Sequence, residues 1–249
     1  MKNILVLSWI MMLGGAIVFA DRLNAACNTH EIDQAVAKGN FDTALKATQR
    51  CIDSSQADVA ATKSPSMLAE TNLGAFLIAK AEILALKGDL FSADAALADA
   101  EAFDKQHPRS TVRWSANMSP LDTARGFVLE KKNDLKGAAE VYEAVIKQIQ
   151  KDGYANSLGD SSELCGRVAL TALQRGDDVT AEKWAKKALS QDAGANVALA
   201  MLYKKRGDAA RAKEYYAAAL KLMNDHLGGN NWTLPIFYAE YKRATDGDR

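Results

Sequence analysis

Histidine and cysteine are scarce, three of each in 249 residues, and proline occurs only four times. His30, His107 and His226 stand far apart, none with another histidine, cysteine or paired carboxylate at metal-ligand spacing. That pattern argues against a zinc site. The glycines are single turn residues and none opens a phosphate-cradling loop after a strand, so no nucleotide or other cofactor is expected. Lysine plus arginine equals aspartate plus glutamate at 31 each, with no basic block. The electrostatic footprint of a nucleic-acid binder is therefore missing. Few prolines and an alanine-rich body leave a chain that favours helix throughout.

One long uncharged run exists, from Ile4 to Ala20, behind the single positive charge of Lys2. It is short for a membrane span, and Val18-Phe19-Ala20 supplies small residues before Asp21. Residues 1–20 read as a secretory signal peptide. An uncleaved anchor in the inner membrane, with the chain facing the periplasm, is the alternative. A lipoprotein signal ending at Cys27 fits less well, because Asn24 and the charged Asp21-Arg22 interrupt its pattern. The expected location is periplasmic or secreted.

Such a compartment oxidises thiols. Cys27 and Cys51 each lie twelve residues from Gly39, so a helical hairpin turning at Gly39-Asn40 brings them together at its open end. A Cys27–Cys51 disulfide is expected. Cys165 remains, in SSELCGRVALTALQ near the start of a helix. A thiol there can be acidified, yet no basic partner stands out, and a buried packing role is the simpler reading.

The most informative feature is repetition. KGNFDTAL at 38–45 returns as KGDLFSAD at 87–94, KNDLKGAA at 132–139, RGDDVTAE at 175–182 and RGDAARAK at 206–213. Amphipathic stretches flank each copy; Leu73, Phe76, Leu77, Ala81, Leu84 and Ala85 mark one helical face. Glycine or asparagine can take the left-handed conformation that ends a helix, and the next Asp or Asn can cap the one that follows. Five residues after each turn glycine, or after Asn133, stands an alanine: Ala44, Ala93, Ala138, Ala181 and Ala212. A small side chain there lets the second helix pack closely on the first.

This pattern resembles the tetratricopeptide repeat, a helix–turn–helix unit. The small residue of the family's first helix corresponds to Ala81, Gly126, Ala169 and Ala200, and its bulky second-helix position to Leu97, Tyr142 and Tyr216. The next small position corresponds to Ala100, Ala188 and Ala219. Successive turns lie 49, 45, 43 and 31 residues apart, counted between Gly39, Gly88, Asn133, Gly176 and Gly207. The family's period is about 34, so the first three units carry longer helices or loops. The resemblance implies an all-α, right-handed superhelical solenoid of about five hairpins in one domain, residues 28–245. A C-terminal capping helix bearing Trp232, Ile236, Phe237 and Tyr241 is expected to cover the last hairpin, before a disordered tail at 246–249.

The resemblance also implies a function. First helices of stacked hairpins line a concave surface suited to a partner peptide or helix. Carried over position by position, the groove comprises Ile78 and Glu82, then Phe127, Glu130 and Lys131, then Leu170 and Gln174, and finally Met201, Lys204 and Lys205. The Lys-Asn clamp by which some members hold a C-terminal carboxylate is not reproduced at Thr29, Asp33, Thr123 and Phe127. The expectation is a non-catalytic adaptor of the bacterial cell envelope with a protein partner, or alternatively a solenoid that assembles with copies of itself. Nucleic acid is not an expected partner, and the membrane enters only through an uncleaved N-terminal segment.

Overall fold

The computed structural model describes residues 27–61, 67–107, 120–151, 158–189 and 192–227, together with Tyr241, Ala244 and Thr245. Residues 1–20, expected above to be a signal peptide, lie outside the described residues, as do Trp232, Ile236, Phe237 and the tail at 246–249. Among those described there are ten helices and no strand. They are α1 (Thr29–Ala37), α2 (Phe41–Ala60), α3 (Met67–Lys87), α4 (Leu90–Gln106) and α5 (Pro120–Lys131), followed by α6 (Leu135–Lys151), α7 (Leu158–Gln174), α8 (Asp178–Lys187), α9 (Ala193–Lys205) and α10 (Ala209–Leu227).

Consecutive helices pair into five hairpins, and the five turns are built alike. Gly39, Gly88, Gly176 and Gly207 have φ between 71° and 88°, and Asn133 takes the same region at 66°. These values avoid the Cβ clash only for glycine or, at some cost, asparagine. The residue after each donates its N–H five residues back, from Asn40 to Ala35 O, Asp89 to Leu84 O, Asp134 to Leu129 O, Asp177 to Ala172 O and Asp208 to Tyr203 O, at 2.8–3.0 Å. That bond closes the outgoing helix. The same residue's side chain then accepts from the N–H three residues ahead, at Thr43, Ser92, Gly137, Thr180 and Arg211. One Asn or Asp thus ends one helix and starts the next.

The alanine after each turn is buried. Ala44, Ala93 and Ala138 are fully buried, Ala181 is 1% exposed and Ala212 4%. At Gly126 two helices come close: an added Cβ would come within 2.5 Å of the Tyr142 ring. The hairpins stack in chain order. Each second helix packs on the next first helix, and the first helices α3 and α5, then α7 and α9, also touch. A continuous apolar core runs from Ile32 to Met223. The molecule is an all-helical solenoid.

The first hairpin is stapled where the sequence placed the bond: Cys27 and Cys51 are joined, with Cα atoms 4.4 Å apart. The second is closed by His107, whose Nδ1 meets Glu70 Oε1 at 3.0 Å and whose ring stacks on Phe103.

Candidate functional site

The first helices α3, α5, α7 and α9 carry every residue assigned to the groove, and their environments divide sharply. Ile78 and Met201 are half-buried, Gln174, Lys204 and Lys205 are exposed, and Lys131 is half-buried with its ammonium 4.9 Å from the Phe127 ring centre. Lys205 reaches Asp178 at 2.8 Å. These side chains keep part of their surface open. Phe127 is fully buried, Glu130 is 7% exposed and Leu170 6%. They form the interior of the layer and offer no open surface, because each helix here packs on more than one neighbour.

Glu82 differs from all of them. It is half-buried on α3, one turn after Ile78, and makes no hydrogen bond or ion pair with the described residues. Burial alone pushes its carboxyl up to about 8; taking a carboxylate from water without a compensating charge favours the protonated form. At neutral pH this side chain is a neutral hydrogen-bond donor on an otherwise apolar stretch.

Behind the layer lies a polar cluster that the repeat pattern did not indicate. Arg167 of α7, 1% exposed, pairs with Glu130 of α5, and the Tyr142 hydroxyl of α6 donates to Glu130 Oε2 at 3.3 Å. The guanidinium carbon also lies 5.4 Å from the Phe127 ring centre and 5.8 Å from that of Tyr241. The α9 N-cap, Asp192, is 3% exposed and accepts from Gly194 N at 2.8 Å and Ala195 N at 3.1 Å. Burial raises its carboxyl to about 7 against the pull of those N–H groups, the Gly166 backbone and Arg167. The sequence held one signal for this cluster, an arginine inside the apolar run LCGRVALTAL. A charge in such a run reaches a partner or is not buried at all.

Cys165 is 7% exposed, and burial together with Asp192 pushes its thiol up to about 11. A thiol so held is a poor nucleophile at neutral pH. Among the described residues no three His, Cys, Asp or Glu side chains gather as a metal site. No described helix is long and apolar enough to cross a membrane.

No model of a known protein family matches the chain, and no curated relative matches it. Among solved structures, BtubC (BKLC) from P. vanneervenii is similar with a TM-score of 0.53 and 14% sequence identity. The superposition covers 84% of this chain and 87% of that one. At that identity the likeness is one of fold, and it extends over nearly the whole length of both chains.

Proposed function

We propose that the chain is a tetratricopeptide-type adaptor of the bacterial cell envelope, exported through residues 1–20, non-catalytic, and holding a protein segment against the first helices of its hairpins. The observation that carries this reading is the regular stack itself. Five hairpins with one turn chemistry place α3, α5, α7 and α9 in a row, and stacked units of this kind present extended surfaces for partner chains. The Cys27–Cys51 bond supports an oxidising compartment, which a periplasmic location would supply. Ile78, Glu82, Gln174, Met201, Lys204 and Lys205 are the docking residues in this reading.

Charge distribution favours a second reading, assembly with copies of itself. Residues 27–107 hold twelve Asp and Glu against seven Lys and Arg, whereas residues 158–227 hold nine against eleven. An acidic front and a basic back suit head-to-tail contact.

Crosslinked capture from the envelope fraction separates the two. The adaptor reading expects one partner, captured by the wild type and lost in a folded Ile78→Asp, Met201→Asp variant. Capture of the chain alone, disrupted by raised salt, would replace it with self-assembly.

A further inference from the structure

α3 is apolar on every side. Of its 21 residues only Glu70, Lys80, Glu82 and Lys87 are charged. A helix of that composition is normally enclosed by its neighbours. α3 packs on α2, α4 and α5, yet one stripe along it stays partly open. Leu68 is 69% exposed and Ala75 is exposed, while Ile78, Ala79, Glu82 and Leu86 are half-buried. From Leu68 to Leu86 the stripe runs about 27 Å at the helical rise.

Three of the four charges have partners. Glu70 meets His107 Nδ1 at 3.0 Å, Lys80 donates to Gln49 Oε1 at 3.0 Å, and Lys87 reaches Asp42 at 2.7 Å. Glu82 has no hydrogen bond or ion pair with the described residues, and it stands on the open stripe. An acid half out of water without a counter-charge is costly to the chain by itself. It is complementary to a cation brought from outside. No described charge on α2, α4 or α5 shifts its carboxyl, so none competes for that cation.

The surface also selects the conformation of what covers it. α3 spends its backbone groups on its own helix and offers none to a neighbour. An extended segment laid along the stripe would bury N–H and C=O groups unpaired. A helix pairs its own backbone, and the small side chains of Ala75 and Ala79 let a second helix axis come near.

We propose that the open stripe of α3 docks an amphipathic helix of a partner protein, and that a lysine or arginine on the apolar face of that helix pairs with Glu82. The proposal rests on the reading of the first-helix row as a docking face and adds the conformation and charge of what docks. The arriving cation favours the carboxylate and sends its proton to water.

The test uses the full chain and a phage-displayed library of amphipathic helices of about 18 residues, the length of the stripe. Wild type should enrich sequences with Lys or Arg at one fixed position, flanked by apolar residues three and four places away. Glu82→Lys should enrich Asp or Glu at that position instead. The most enriched wild-type sequence is then synthesised twice, once with its cation and once with methionine there. Wild type should bind the methionine peptide at least tenfold more weakly, and Glu82→Gln should bind the two peptides equally. Glutamine keeps the size of the side chain without a charge, so this arm stands even if Glu82→Lys does not fold. Enriched helices without a preferred cation would overturn the pairing while leaving the docking face intact. Enrichment of no helix, as when a second copy or another part of the chain already covers the stripe, would overturn the proposal entirely. Neither result involves an envelope partner, so each is distinct from failure of the capture experiment.

Discussion

At the front of the array a covalent bond joins Cys27 to Cys51, and α1 and α2 meet over Ala44. From α5 onward helices are held together without a covalent bond, by a buried ion pair between hairpins, Glu130 with Arg167, and by glycines at 126, 166 and 194 that admit other groups into the helix surface. The contrast follows from position. Among the described residues the first hairpin packs on a neighbour on one side only, so it gains most from restricting its unfolded state. The inner hairpins are packed on both sides, where a buried charge pair fixes which helices meet and in what register. In an array whose units contact only their neighbours, the two devices should fail separately.

The largest effect is expected at the ion pair. Arg167→Met removes one buried partner and strands Glu130, at a cost of about 3–5 kcal/mol. The loss should appear as a lower urea midpoint and as faster hydrogen exchange in α5, α6, α7 and α9. Adding Glu130→Leu should recover much of it, because replacing both partners with apolar groups is far less costly than breaking the pair. Equal loss in the single and double variants would mean that packing around Arg167, and not its charge, holds the back together.

Cys51→Ser tests the front. Opening a loop with a sequence separation of 24 residues should cost about 3.5 kcal/mol on the chain-entropy relation. Protection should fall in α1 and α2 and remain in α7, α9 and α10. If protection falls along the whole chain, the array unfolds as one unit and the division drawn between its ends does not hold.

The two ends were not equally legible in the sequence. The hairpins, their turn glycines, the alanines that follow and the cysteine pairing are all properties of local spacing, and a linear pattern carries them. Phe127, Glu130 and Leu170 were assigned to the groove by register, and they are buried. Register tells which side of a helix a residue occupies, but not which other chain segment covers that side. What covers it here involves Arg167 and Tyr241, 37 and 111 positions beyond Glu130 by their numbers. Such long-range pairing leaves no periodic trace. Glu82 was placed by the same register and is half-buried, with no hydrogen bond or ion pair to the described residues.

The pH response compares a buried carboxyl in each half. Glu82 is raised from 4.5 to about 8 with nothing opposing its burial, and Asp192 is raised from 3.8 to about 7 although backbone N–H groups hold it. A folded-state value above the unfolded one means that the native state keeps a proton the unfolded chain has lost. The stabilising contribution is complete below about pH 4 and is lost as pH rises through 7 to 8. Glu82→Gln should therefore raise stability by about 2 kcal/mol at pH 9 and leave it unchanged at pH 4, read as urea midpoints. Asp192→Asn should give no such gain, because the carboxylate accepts two N–H bonds at the start of α9. An equal gain from both substitutions would show that backbone N–H groups do nothing for the buried charge.

The smallest effect concerns the one turn of the five that lacks glycine. Asn133 holds φ at 66° where its four counterparts are glycines between 71° and 88°. Its backbone bonds match theirs: its own N–H reaches Glu130 O at 3.0 Å, and Asp134 N reaches Leu129 O at 2.9 Å. Glycine would relieve the left-handed strain of an L side chain, although it also frees the unfolded chain. The balance for Asn133→Gly is a gain of about 0.5 kcal/mol, visible as a small upward shift in Tm. Gly88→Asn, the reciprocal change in the acidic front half, should lose a similar amount. Equal and opposite shifts would show that the five turns are energetically interchangeable along the array. A loss from Asn133→Gly would show that the asparagine side chain stabilises this turn beyond the backbone geometry it shares with the others.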